Sequence, residues 1–279
     1  MKKTFQIIGL ISLTCFSFFI TEKTNLVVSN LDDIMIQIKQ NKDKYSSESK
    51  DAIINNDTII PGISGKTVNI SKSYKSMKNN GYYNEKLFVY DYTKPKISIE
   101  ENLDKYIIKG NPRKRMVSLI FNLYNNDDIS EILNIVNNYN VKVNFFVDYN
   151  WFSNNTDLIK EIINNGHLIS PLMEDYNNTN FEWIDTILKN VNRQRVVFCY
   201  KTNYSKENIE ICKLKGDYTI SPTKISDNTP LVDIKNKLES GSILTLSNNK
   251  EVKKELSSII IYIKSKGLTI ENLENHILE

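Results

Sequence analysis

The sequence predicts an α/β fold in which parallel strands, covered by helices, close or nearly close into a barrel. Two observations predict it. Between Met116 and Glu279, seven apolar strand-like runs alternate with helical stretches. Such alternation implies a parallel sheet with helices packed on it. Right-handed crossovers between those strands then permit a closed or nearly closed barrel.

The elements follow in order. "MVSLIFNLY" is a run suited to a buried strand. "DDISEILNIVNNY" is helical, with Ile129, Ile132, Leu133 and Val136 on one face. "VKVNFFVDY" is the second strand, and "NTDLIKEIINNG" is a helix that starts near Asn155 or Thr156 and stops at Gly166. "HLISPLM" is the third strand. "NFEWIDTILKNV" is a helix with Phe181, Ile184, Ile187 and Leu188 facing inward. "RVVFCY" is a strand, "SKENIEICKLKG" a helix, and "DYTISP" a strand. "LVDIKNKLESG", "SILTLS", "KEVKKELSSIIIYIKSKG" and "LTI" complete the alternation before "ENLENHILE".

The residues ahead of the barrel read differently. Lys2 and Lys3 precede an apolar run from Phe5 to Ile20. Residues 1–21 are therefore expected to be a signal anchor or a signal peptide. No small-residue cleavage site follows the run, which favours an uncleaved anchor with its positive end inside. Residues 22–52 read as a helical stalk and 53–115 as a small N-terminal segment, with a helix ending at Gly81 and a strand over 87–92. The barrel is expected over 116–279, outside the membrane.

Composition excludes some classes. The net charge is +3, and lysines are interspersed with acids, so no nucleic acid partner is expected. The chain is rich in Asn, Ile and Lys and has a single alanine, Ala52, so an Asn-rich segment carries little functional meaning. Cys199 and Cys212 are expected to be small buried apolar groups rather than a disulfide.

In a parallel barrel the chemistry gathers where the strands' carboxyl ends converge. There the sequence places Asn122 and Tyr124, Asp148, Tyr149 and Trp151, Glu174, Asp175 and Tyr176, Tyr200 and Lys201, and Ser247. His167 stands at the opposite end of its strand.

Several stretches resemble the polysaccharide deacetylases, the NodB homology fold. "VSLIFN" resembles the family's first strand and its T-F-D-D-G, and "VKVNFFV" its K-A-T-F-F-V. "LIKEIINNGHLIS" resembles its L-V-K-x-I-x-x-x-G-H-E-I-G. "GSILTLS" and "KGLTIENLENHI" resemble its last strand and ending. The resemblance implies a distorted (β/α)7 barrel. It also implies a divalent metal held by one Asp and two His, and hydrolysis of the acetamide of N-acetylated sugars. In that chemistry a second Asp is the general base and a histidine the general acid.

This chain departs from the pattern at each of those positions. The Asp-Asp pair falls on Asn122 and Leu123, the two metal histidines on Leu172 and Tyr176, and the last histidine on Ser247. Of the Arg-x-Pro-Tyr segment only Tyr200 is kept. The matched His167 is one that the family uses structurally. No catalytic residue, metal site or cofactor is therefore expected.

The rim aromatics Tyr124, Tyr149, Trp151, Tyr176 and Tyr200 are candidate sugar-binding residues, because aromatic faces pack on sugar rings. Trp151 could equally be a core anchor. Asp127, Asp128, Asp148, Glu174 and Asp175 could offer oxygen ligands to a Ca²⁺- or Mg²⁺-like ion; the alternative is helix caps and solvated loop acids. The expected function is a cell-envelope, deacetylase-like protein without catalysis that binds or organises cell-wall glycan, peptidoglycan or similar. Two alternatives stay open: an active hydrolase of carbohydrate C–N bonds with an atypical site, and an envelope protein–protein interaction module. The expected location is the cell membrane, with an extracellular domain, or the exterior as a secreted protein.

Overall fold

The computed structural model describes residues 12–18, 32–125, 127–173, 178–190, 196–200 and 206–279. Along the chain lie helix α1 (12–18), α2 (Asp33–Tyr45), β1 (Ile53–Asn55), β2 (Thr58–Ile60), β3 (Gly65–Val68), α3 (Ile70–Asn80), β4 (Tyr90–Thr93) and β5 (Tyr106–Ile107). The second part brings β6 (Met116–Leu123), α4 (Ser130–Asn138), β7 (Asn144–Val147), α5 (Tyr149–Asn154), α6 (Thr156–Asn164), β8 (Leu168–Pro171), α7 (Asn178–Asn190) and β9 (Phe198–Cys199). It ends with α8 (Lys206–Leu214), β10 (Tyr218–Ile220), β11 (Thr223–Lys224), α9 (Pro230–Lys237), β12 (Ile243–Ser247), α10 (Lys250–Ser265), β13 (Thr269–Ile270) and α11 (Leu273–Ile277).

Two compact units divide the chain, one of Met1–Ser49 with Ser64–Lys94 and one of Lys50–Ile63 with Pro95–Glu279. This division runs differently from the boundaries at 53 and 116 read from the pattern. In the first unit, the hairpin-like pair β3–β4 and helices α2 and α3 enclose Ile34, Ile38, Val68, Met77 and Phe88. Asn69 caps α3 through the amide of Lys72, and Gly81 ends it in the left-handed region at φ 80°. That is the conformation a helix C-cap glycine supplies.

In the second unit the parallel order β11-β12-β6-β7-β8 forms one sheet, and β1-β2-β5-β10-β9 another. A parallel bridge between Leu172 and Tyr200 joins β8 to β9 at their ends. Beyond β10 the same stretch of chain runs on into β11, which pairs with β12. The two sheets thus meet at the Leu172–Tyr200 bridge on one side and through the chain running from β10 into β11 on the other. Two details differ from expectation. The last predicted strand, β13, pairs with the start of β6 and lies off the path of the sheet. β5, drawn from the segment ahead of the expected barrel, pairs with β10 and carries the β1–β2 hairpin onto it. Strands this short show little periodicity, which hid their place in the sheet.

Residues on opposite faces of β6 separate two cores. Val117, Leu119, Phe121 and Leu123 pack outward with Ile132, Val136, Leu256 and Ile259 of the helical layer. Ile120 packs inward with Phe146, Leu168, Phe198, Tyr218 and Ile243. Such alternation at period two is what a strand covered on both faces requires.

Cys199 and Cys212 form a disulfide between β9 and α8, with Cα atoms 6.3 Å apart. The expectation of two free buried thiols is corrected. Both residues are indeed fully buried, beside Phe181 and Met173, and the interleaving of α8 on β9 brings them face to face. The apolar run Phe5–Ile20 lies mostly outside the described residues. No described helix is long and apolar enough to cross a membrane.

Candidate functional site at the barrel mouth

Strand alternation points Asn122, Phe146, Tyr200 and Ser247 toward the barrel interior at the carboxyl ends of β6, β7, β9 and β12. In register, Ser247 stands beside Asn122, and Asn122 beside Phe146. Leu172 joins them from β8, and Tyr200 packs edge-on against Phe146 at 5.7 Å. Leu172 and Tyr200 are almost wholly buried. Ser247 Oγ donates a hydrogen bond to Asp227 Oδ1. Asn122 Oδ1 is buried without a hydrogen-bond partner. The structure thus brings together Asn122, Leu172, Tyr200 and Ser247. Leu123 faces the other way, fully buried in the helical layer. Tyr176, Glu174, Asp175 and Lys201 lie outside the described residues.

The other aromatic candidates separate. Trp151 is fully buried, its Nε1 donating to the Asp127 carbonyl at 2.9 Å, so it offers no face to a ligand. Sequence position alone could not show this, because α5 turns Trp151 inward directly after β7. Tyr124 is half-buried against the interior core. Tyr149 is exposed and packs on Trp183 of α7 at 5.4 Å. Trp183 itself was missed from the sequence, since its helix was read only for its inward face. Asp227 was missed too, because it sits in an irregular stretch after β11.

The rim acids serve the backbone. Asp148 caps α5 through the amide of Trp151 at 2.7 Å and also accepts from Asn125 N. Asp128 accepts from the amide and hydroxyl of Ser130 at the start of α4. Those bonds hold its carboxyl below the ordinary aspartate range. Asp127 accepts from Tyr124 N at 2.8 Å.

His167 occupies the far end of β8. Its Nδ1 accepts from Val143 N at 3.1 Å, and its Nε2 lies 3.0 Å from Asn137 Oδ1. The amide donor fixes the tautomer, so Nε2 carries the proton and donates to Asn137. Burial, and next the neighbouring Lys142 charge, push this histidine down to about 4. His276 is buried on α11, its Nδ1 2.8 Å from Ser118 Oγ. Since Ser118 donates to the Glu271 carbonyl, it accepts from His276. Burial, followed by the charge of Lys114, pushes His276 down to about 3. Both are structural plugs at the amino ends of the strands.

The donor set at the mouth does not suit a zinc-like ion. Such ions take imidazole, thiolate or carboxylate ligands, whereas Asn122, Leu172 and Ser247 supply a neutral amide, an alkyl group and a hydroxyl already committed to Asp227. Among the described residues no three His, Cys, Asp or Glu side chains gather closely enough to hold a metal.

A parallel barrel whose mouth keeps its frame but has exchanged acids and imidazoles for amide, alkyl and hydroxyl groups defines a degenerate carbohydrate-deacetylase-type domain. The family model described as polysaccharide deacetylase matches residues 109–209. Over those residues the chain is similar to the polysaccharide deacetylases, in a degenerate NodB-type form. The Bacillus subtilis protein YlxY, itself uncharacterised, is 36% identical over 150 residues, 52% of this chain and 46% of YlxY. The matched region thus spans about half the length of that relative. Among solved structures, the wild-type form of a CE4 family pseudoenzyme from Bacillus anthracis superposes with a TM-score of 0.66 at 20% identity, covering 88% of this chain and 95% of the other. A mutant of that protein, described as having restored enzymatic activity, gives a TM-score of 0.66 at 20% identity, over 88% and 98% of the two chains. PdaA of Bacillus subtilis, a family 4 carbohydrate esterase, gives 0.53 at 15% identity, over 61% and 84%. At these identities the structural likenesses speak for the fold.

Proposed function

We propose that this chain is a non-hydrolytic deacetylase-like protein that binds or organises cell-wall glycan outside the cytoplasm. The observation that carries the reading is the mouth itself: Asn122, Leu172 and Ser247 stand where metal chemistry would need an acid and two kinds of imidazole. Without a Lewis acid and a proton donor, amide hydrolysis lacks its means of polarising the carbonyl and of expelling the amine. Binding asks for less. Tyr200 keeps a small exposed edge at the mouth, packed on the buried Phe146, and Asn122 Oδ1 is an acceptor awaiting a donor such as a sugar hydroxyl or acetamide N–H.

Export is supported by the Cys199–Cys212 disulfide, since such bonds persist in oxidising compartments. The basic residues Lys2 and Lys3 ahead of the apolar run Phe5–Ile20 fit a signal peptide or membrane anchor. In this reading the run delivers the barrel to the wall side of the membrane.

The test is binding of N-acetylated oligosaccharides, from peptidoglycan or chitin, by calorimetry. Asn122→Leu and Tyr200→Ala are expected to weaken binding about tenfold or more, the loss of a hydrogen bond or a stacking face, while the distant Lys254→Ala leaves it unchanged. Equal binding by all three variants would remove the mouth from the account. Acetate release that follows protein concentration would instead favour an atypical hydrolase.

A further inference from the structure

Outside the mouth, α7 carries Asp185 and, one turn on, Lys189. Both approach Asp217, which directly precedes β10. Lys189 Nζ lies 2.7 Å from Asp217 Oδ1 and 2.9 Å from Asp185 Oδ1, and it donates to the Lys215 carbonyl at 3.3 Å. Asp217 is fully buried and Asp185 nearly so. Asp217 Oδ1 also accepts from Val197 N at 3.4 Å, while its Oδ2 is buried with no partner at all.

The charges here do not balance. Two carboxylates face one ammonium, leaving a net negative charge away from water. The other described charges nearby pair with each other: Glu182, on α7, and Lys215, on the turn after α8, lie 3.2 Å apart and are partly exposed. β9 contributes only the Val197 amide, and α8 only the Cys212 carbonyl, which accepts from Asp217 N at 2.9 Å. A buried uncompensated charge is costly, and the usual outcome is uptake of a proton. One proton would give Asp217 Oδ2 a bond to make and bring the cluster to neutrality.

We propose that Asp185 and Asp217 share a proton at neutral pH, and that this acid–carboxylate pair, together with Lys189, latches α7 onto the strands β9 and β10. Loss of the proton in alkaline solution sets two anions against each other and loosens α7. That helix bears Trp183, so the latch also governs the exposed aromatic pair Tyr149–Trp183.

Titration behaviour agrees with the geometry. Burial pushes Asp217 up to about 7, opposed by Lys189 and reinforced by Asp185. A carboxyl whose folded value lies above its unfolded value contributes stability that is complete below the unfolded value. That contribution is lost as pH rises through about 7.

The experiment is a carbon-13 NMR titration of aspartate carboxyls in the wild type, Asp217→Asn and Asp185→Asn, with melting temperatures from about pH 5 to about pH 8.5. One carboxyl is expected to titrate near neutrality in the wild type, to vanish in Asp217→Asn and to move to acid in Asp185→Asn. The melting temperature of the wild type relative to either variant should fall by several degrees across that range. Wild-type aspartates that all titrate in the ordinary acidic range, or a melting difference independent of pH, would overturn the proposal. Either variant suffices if the other does not fold.

Discussion

At the residue scale, the two histidines show how one side chain can look catalytic and be structural. His167 accepts from a backbone amide, so its lone pair is occupied by the fold rather than offered to a ligand. Its folded value of about 4 lies below the unfolded one near 6.5. The stability it contributes is present above that unfolded value and is lost as pH falls toward about 4. Proton NMR of the imidazole should therefore show a midpoint well below 6, and unfolding in urea should become easier between about pH 6.5 and about pH 4.5. His276 adds to the same slope, its own value being pushed to about 3. Packing around it is tight. A Cβ on Gly110 would lie 2.2 Å from His276 Nε2, so Gly110→Ala is expected to lower stability by roughly 1–3 kcal/mol, as overpacking does. Chemical denaturation of the two proteins measures this, and an unchanged midpoint would show that α11 yields more easily than its burial indicates.

At the element scale, most long helices and the central strands were legible in the sequence. Apolar residues at helical spacing on α4 and α10 and the continuous apolar run of β6 carry their own signal. Short elements did not. β5 and β13 are two residues each, too brief for a period, and their pairing with β10 and β6 follows from where longer elements leave room. The mouth was legible in part. Asn122, Tyr200 and Ser247 follow from strand ends, but the choice between rim and core for Trp151 was open in the sequence, because it depends on the helix that begins directly after β7 and is capped by Asp148. Trp151→Ala is accordingly expected to cost about 3–5 kcal/mol of stability, while glycan affinity changes little so long as the protein stays folded. The disulfide between β9 and α8 escaped because pairing depends on the packing of two elements, not on spacing. Replacing both Cys199 and Cys212 by alanine should cost about 3 kcal/mol, the value usual for a loop of this size. Urea denaturation under oxidising conditions reads it directly.

At the scale of the whole molecule, frame and chemistry rest on different residues. Burial of Phe121, Phe145, Leu256 and their neighbours between strands and helices builds the core of the fold. What the mouth offers is the edge of Tyr200 and an amide oxygen without a partner. The most direct measurement is acetate release from N-acetylated chitin or peptidoglycan oligosaccharides by the purified protein with zinc in excess. No acetate above the protein-free control is the predicted result. Steady release that scales with protein and survives chromatography to homogeneity would contradict the account, because it would require a means of activating water that these residues do not supply.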